Sequence, residues 1–262
     1  MKPPILRTKV TSAASIFRPA ALLREARRQK GLPDISVPPI CILDPDGDIV
    51  RRLRSDGLAK RFDAWPCYHT ELDLFTLAGR TVGIVGCAVG ASFAVLIAEE
   101  LFASGCQLLI SLTSSGQITS SGPTPYFVII DRALRDEGTS YHYAPPADYA
   151  EADTDLVARA KRVLAGGRQR VFTGATWTTD APFRETAEAI EAARTEGILA
   201  VEMEAAALYS FARASGQSVL CLALVTNTMG QAGDDFEKGE VDGTADALAV
   251  LASLLPLADT VA

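Results

Sequence analysis

Histidine is nearly missing from this chain, with only His69 and His142 among 262 residues. No Cys-x-x-Cys pair occurs either, so no metal site built from Cys and His is expected. The five cysteines, Cys41, Cys67, Cys87, Cys106 and Cys221, are odd in number and scattered. That pattern excludes a regular disulfide framework and fits reduced, mostly buried thiols in a cytosolic protein. Apolar runs are all too short to span a bilayer. The segment after Met1-Lys2-Pro3-Pro4 lacks the apolar core of a signal peptide, so the expected location is cytoplasmic. A net charge of −7 leaves no excess of Lys and Arg for a phosphate backbone, and neither nucleic acid nor membrane is expected as a partner. Internal repeats and low-complexity segments are absent.

What is present suits one large domain with a sizeable core: 48% hydrophobic and 22% charged residues. Residues 1–17 show no period and read as a mobile or subunit-exchanging arm. Pro19 to Lys30 reads as a basic amphipathic helix stopped by Gly31. Ile40 to Leu43 is a short buried strand ending in the acidic turn Asp44-Pro45-Asp46-Gly47-Asp48, with a helix from about Ile49 to Leu58. Further strands are expected over Cys67–Leu77, Thr81–Gly86, Gln107–Leu112, Phe127–Asp131, Arg170–Trp177 and Ser218–Thr226. Helices are expected over Ala91–Ala103, Thr154–Leu164, Arg184–Thr195, from Glu204 to Ser215, and over Thr244–Leu255. Gly83, Gly86 and Gly90 miss the dinucleotide-binding spacing and signal instead a close backbone approach, of helix on strand or of amides on a ligand. The glycine-rich acidic stretch from Gly230 to Gly243 reads as a lid or as disorder. Strands alternating with helices give an α/β fold: a single domain of three layers, α/β/α, around a central mixed β-sheet. Ligands in such folds sit beyond the carboxyl ends of strands, so the polar turns after Leu43, Leu112, Trp177 and Thr226 are expected to converge.

The most informative stretch is Glu202-Met203-Glu204-Ala205-Ala206-Ala207-Leu208-Tyr209, two carboxylates at the mouth of a helix apolar nearly all round. Carboxylates in such a place are costly unless they bind something. The plainer reading is acidic residues favourably placed on a helix dipole. This stretch resembles the ribose-binding signature of the nucleoside phosphorylase superfamily, most nearly uridine phosphorylase, and the resemblance runs from about Ile40 to the C-terminus. It implies an N-terminal arm and helix over 1–37 and a nucleoside phosphorylase-like domain over 38–262. It also implies a small-molecule nucleoside as substrate, no cofactor beyond inorganic phosphate as co-substrate, and a homo-oligomer, dimer to hexamer, whose subunits share active sites.

By that resemblance Glu204 holds the ribose hydroxyls and stabilises the oxocarbenium-like sugar, while Met203 packs under it. Glu202 contacts the 2′-hydroxyl or serves only the helix dipole. The segment Thr178-Thr179-Asp180-Ala181-Pro182-Phe183 resembles the base-recognition turn. Thr179, Asp180, Phe183 and Arg184 are its candidates, with Phe183 stacking on the base, Arg184 reading a carbonyl, and Asp180 fixing the turn. The Gln-x-Arg pair by which uridine phosphorylases read uracil is not evident. Asn227 stands where purine-specific bacterial relatives carry a proton-donating aspartate; its amide can donate a hydrogen bond to a leaving base but not a proton. Catalytic roles therefore fall to Glu204 and Asn227.

The nucleophile side departs from the family. Phosphorylases of the uridine type surround phosphate with arginines. Here Gly47 and Ser111 occupy two of those positions, and the third, supplied by a neighbouring subunit, aligns with Tyr68 or His69. Arg51, Arg52 and Arg54 are the nearby cations, and Ser114 remains as a binder of an oxyanion or water. The acidic turn repels phosphate, whereas Asp46 or Asp48 would suit a general base acting on water, as in the related methylthioadenosine nucleosidases. Three readings stay open: phosphorolysis, hydrolysis, and a non-catalytic nucleoside sensor.

Overall fold

The computed structural model describes residues 3–7, 9–228 and 243–260. The expected lid segment, Gly243 apart, lies outside the described residues. Helix α1 (Pro19–Lys30) opens with Pro at its first position and ends where Gly31 turns left-handed, as its sequence predicts. Then follow β1 (Ile40–Asp44), α2 (Asp48–Ser55), β2 (Lys60–Arg61), β3 (Asp73–Leu77), β4 (Arg80–Gly86) and α3 (Ala91–Ala103). The long strands β5 (Leu108–Gln117) and β6 (Tyr126–Asp136) precede β7 (Tyr149–Glu151), α4 (Thr154–Leu164), β8 (Val171–Thr179) and α5 (Ala187–Thr195). The chain closes with β9 (Ala200–Glu202), α6 (Ala205–Ser215), β10 (Ser218–Thr228) and α7 (Thr244–Leu254). This is the expected single α/β domain with a central mixed sheet.

That sheet curls back on itself. Strand β5 pairs with β10 and, at its far end, with β9; β9 pairs with β8, β8 with β6, and β6 with β10, so five strands form a closed ring. Strands β1, β4, β3 and β2 extend the sheet outward from β5. Closure explains two differences from the sequence expectation. Thr113 to Gly116 was expected as a turn, but these residues continue β5 because β10 and β9 supply their ladder partners. Thr178 and Thr179 likewise continue β8 alongside β6. The expected helix from Arg184 starts only at Ala187, after a single 3-10 turn over Pro182–Arg184.

Helix α6 packs into the core with Ala205 through Ala212 all buried, and Glu204 occupies its N-cap. Helix α1 buries Leu23 and Ala26 rather than standing free of the domain. Of the three glycines near 86, Gly86 marks the approach of helix to strand: a Cβ there would sit 3.0 Å from Val50 of α2. Among the described residues no helix is long and apolar enough to cross a membrane.

Candidate active site

Strand β9 ends at Glu202 and α6 begins three residues later, so the intervening backbone turns with its amides exposed to the two carboxylates. Glu202 takes them. Its Oε2 accepts hydrogen bonds from the amides of Glu204 and Ala205, both at 2.7 Å. Its Oε1 accepts from the Thr176 hydroxyl at 3.1 Å and from the Thr178 hydroxyl. Four donors fill the acceptor positions of a carboxylate, so Glu202 secures the start of α6 and has no position left for a sugar hydroxyl. Burial raises its pKa against the lowering effect of those bonds.

Glu204 is held more lightly. Its Oε1 accepts from the Gly90 amide at 2.7 Å and its Oε2 from the Met203 amide at 3.3 Å. One bond per oxygen leaves each with acceptor capacity. Burial, then the nearby charges of Glu202 and Asp46, push the Glu204 carboxyl up to about 8. The glycine-rich turn after β4 thus serves a protein carboxylate directly, since Gly90 donates to Glu204.

These residues line a cleft of about 420 Å³, into which the four expected turns converge. Asp46 comes from the end of β1, Ser114 from β5, Phe183 from the segment after β8, and Asn227 from β10. Asn227 reaches the cleft through a bulge: the β10–β5 register shifts between Val225 and Asn227, setting Asn227 opposite Gly116. Asp46 accepts from the Ser114 amide at 2.7 Å and its hydroxyl at 3.0 Å. Phe183 is 99% exposed, a bare aromatic face on the cleft wall.

Six expected residues stand back from this wall. Gly47 has φ +78°, and its amide donates to Asp44, to the carbonyl at 2.9 Å and to Oδ1 at 3.2 Å. Ser111 is buried within β5, between Leu43 and Cys221. Asp48 begins α2 and pairs with Arg51. Thr179 accepts from the Ala181 amide at 3.1 Å, and Asp180 accepts from the Gly138 amide at 2.8 Å, so both hold the turn. Arg184 is exposed beside it. Tyr68 and His69 do not line the cleft of their own chain.

Among the described residues no arginine lines the cleft. Arg52 pairs with Asp56, and Arg54 with Asp73 and Glu71. Arg51 is different. A Cβ built on Gly47 would lie 2.8 Å from Arg51 Nη1, so the Arg51 guanidinium occupies the space into which a side chain at 47 would project. It donates to the Asp46 carbonyl at 2.9 Å. Beside the cleft, Asp44, Asp46, Asp48, Ser114, Thr226 and Thr244 help line a void of about 20 Å³, room for about one water. Among the described residues no group of three or more His, Cys, Asp or Glu side chains is placed to hold a metal ion.

Two cleft residues escape the sequence reading. Ser115 has a buried hydroxyl without a hydrogen-bond partner. Glu185 lines the cleft two residues after Phe183, and burial pushes its carboxyl up to about 7. The signal for Glu185 was an acidic residue close behind the expected stacking aromatic; assigning it to a helix concealed it.

The model of a family described as the phosphorylase superfamily matches residues 39–258. DeoD-type purine nucleoside phosphorylases of Bacillus thuringiensis (strain Al Hakam) and Bacillus mycoides (strain KBAB4) are each 26% identical over 182 residues, which is 67% of this chain and 77% of the relative. A solved uridine phosphorylase from Vibrio fischeri ES114, complexed with 6-hydroxy-1-naphthoic acid, superposes with a TM-score of 0.72. It is 21% identical, with 85% of this chain and 92% of that one covered, and at that identity the likeness is one of fold.

Proposed function

The chain belongs to the phosphorylase superfamily, and from that premise we propose that it cleaves the N-glycosidic bond of a ribonucleoside by phosphorolysis, giving free base and ribose 1-phosphate. The observation that carries this reading is the Glu204 carboxylate, anchored by two amides with acceptor capacity to spare in the cleft. Ribose hydroxyls hydrogen-bond to it, and as the bond breaks the positive charge developing on the oxocarbenium-like sugar draws Glu204 into its anionic form, which stabilises that sugar. Met203 packs under the sugar, Phe183 stacks on the base and Asn227 donates to it. Glu202 keeps Glu204 in place by fixing the turn between them, and Thr179 and Asp180 do the same for the base segment. Neither Gly47 nor Ser111 offers a side chain to the cleft, so in this reading phosphate draws its donors from Ser114, released from Asp46, and from Arg51, turned in from beside Gly47.

Hydrolysis is the second reading, favoured by the carboxylate of Asp46 beside a void of about one water and by a cleft wall without arginine among the described residues. Asp46 would then be the general base. A nucleoside panel incubated with and without phosphate separates the two. Base release that needs phosphate supports phosphorolysis; release at an unchanged rate in phosphate-free buffer eliminates it. Nucleosides that raise the melting temperature without ever being cleaved would mark a sensor instead.

The near-complete exposure of Phe183 at the cleft supports a homo-oligomer in which a neighbouring subunit covers the base. Residues 38–262 form the catalytic domain in this proposal and 1–37 an arm and helix, in a cytoplasmic protein.

A further inference from the structure

We propose that Glu185 is the acid that protonates the departing base. The inference rests on the nucleoside-cleaving reading above. A leaving base needs a proton or strong hydrogen bonds as its glycosidic bond breaks, and Asn227 has no proton to give. Among the described residues four carboxyl groups line the cleft: Asp46, Glu185, Glu202 and Glu204. Glu202 is filled by four donors, Asp46 is engaged by Ser114, and Glu204 is held by Gly90 and Met203 on the sugar side. Glu185 is the one left over. It is the cleft carboxyl with no hydrogen bond or ion pair among the described residues, and it shares the four-residue segment Pro182-Phe183-Arg184-Glu185 with Phe183 and Pro182, which also line the cleft. That connection sets it beside the aromatic face on which the base stacks.

Its surroundings raise its affinity for a proton, so that protonated and ionised forms are both present in neutral solution. Burial alone raises it to about 7, with no charged neighbour contributing. Asp46, Glu202 and Glu204 are the titratable groups on the other cleft walls, while Arg184 and Glu188 on its own side are exposed. An acid poised near the working pH transfers a proton most effectively.

The step balances without a further reagent. The bond from C1′ to the base nitrogen breaks and its electron pair leaves with the base. The Glu185 proton goes to the base, leaving a carboxylate. An oxygen of hydrogen phosphate bonds to C1′ and gives up its proton to solvent, from which Glu185 recovers one. With water as acceptor, the proton lost by the water closes the same cycle.

The test compares Glu185→Gln with the wild type on two kinds of leaving group. One is the best-cleaved member of a panel of adenosine, inosine, guanosine and uridine. The other is 4-nitrophenyl β-D-ribofuranoside, whose leaving group departs without a proton. The expected result is a loss of about 100-fold or more in kcat/KM on the nucleoside, with the aryl riboside changed by less than about threefold. Glu185→Asp, which keeps the acid, is expected to recover part of the loss. Equal losses on both substrates, or no loss on the nucleoside, overturn the assignment. Wild-type protein that cleaves neither kind overturns the nucleoside-cleaving reading itself, a separate failure from that of Glu185.

Discussion

Glu202 and Glu204 stand two positions apart in sequence, yet one fastens a helix and the other keeps acceptor capacity toward the cleft. The difference lies in the number of donors each receives, four against two. Glu202→Gln can keep its oxygen on the Glu204 and Ala205 amides, which share Oε2, but its NH₂ group then faces the buried Thr176 and Thr178 hydroxyls, whose protons lose their acceptor. Leaving a buried donor unpaired costs roughly 1–3 kcal/mol, so a fall in melting temperature of several degrees is expected. Glu204→Gln keeps an oxygen for the Gly90 amide and sets its NH₂ group only against the longer 3.3 Å contact from the Met203 amide, so the melting temperature should fall less than in Glu202→Gln while turnover falls about 100-fold or more. A variant at 204 that melts before the one at 202 would reverse these roles. The Glu-Met-Glu motif was legible in the sequence as a candidate site, and its three residues line the cleft. Its division of labour was not, because Thr176, Thr178 and Gly90 arrive from distant segments.

At the scale of elements, the first turn of α2 stands in for a missing side chain. Gly47 adopts a left-handed φ, and its Cβ position is closed off by Cys87 Sγ at 2.5 Å and by Arg51. A residue one helical turn further on therefore brings a guanidinium into the space beside position 47. Arg51→Ala is expected to raise the KM for phosphate about tenfold or more while leaving the nucleoside KM unchanged, the loss expected for one charge-assisted contact. Its pair with Asp48 is more than half exposed on the arginine side and contributes little to stability, so the fold should not be affected. An unchanged phosphate KM would remove Arg51 from the nucleophile site. The arginine cluster after the acidic turn was visible in the sequence. Which of the three turns back toward Gly47 was set by where their partners lie: Arg51 meets Asp48 and the Asp46 carbonyl in the acidic turn, while Arg52 and Arg54 pair with Asp56, Glu71 and Asp73.

Across the whole molecule, the ring of five strands brings carboxyl groups from separate turns together around one cleft. Asp44 is raised to about 7 and Glu204 to about 8, both chiefly by burial, and Glu202 is raised as well. Such groups hold protons in the folded state that the unfolded chain releases near pH 4. Between about pH 4 and pH 8 the folded state therefore binds more protons, and stability falls as pH rises. Calorimetry should show a lower melting temperature at pH 8 than at pH 5.5, and a rise over that interval would contradict these shifts. Most helices and central strands could be read from hydrophobic period and from stops such as Gly31 and Gly216. The short strands β2, β7 and β9 could not, and neither could ring closure, since β9 exists only through its pairing with β5 and β8. Nucleoside cleavage through Glu204 in this cleft is open to chromatography of a ribonucleoside panel incubated with phosphate. Free base and ribose 1-phosphate should form in equal amounts with the wild type and at a rate at least about 100-fold lower with Glu204→Gln, whereas no base released from any nucleoside, or equal release by the variant, would contradict it.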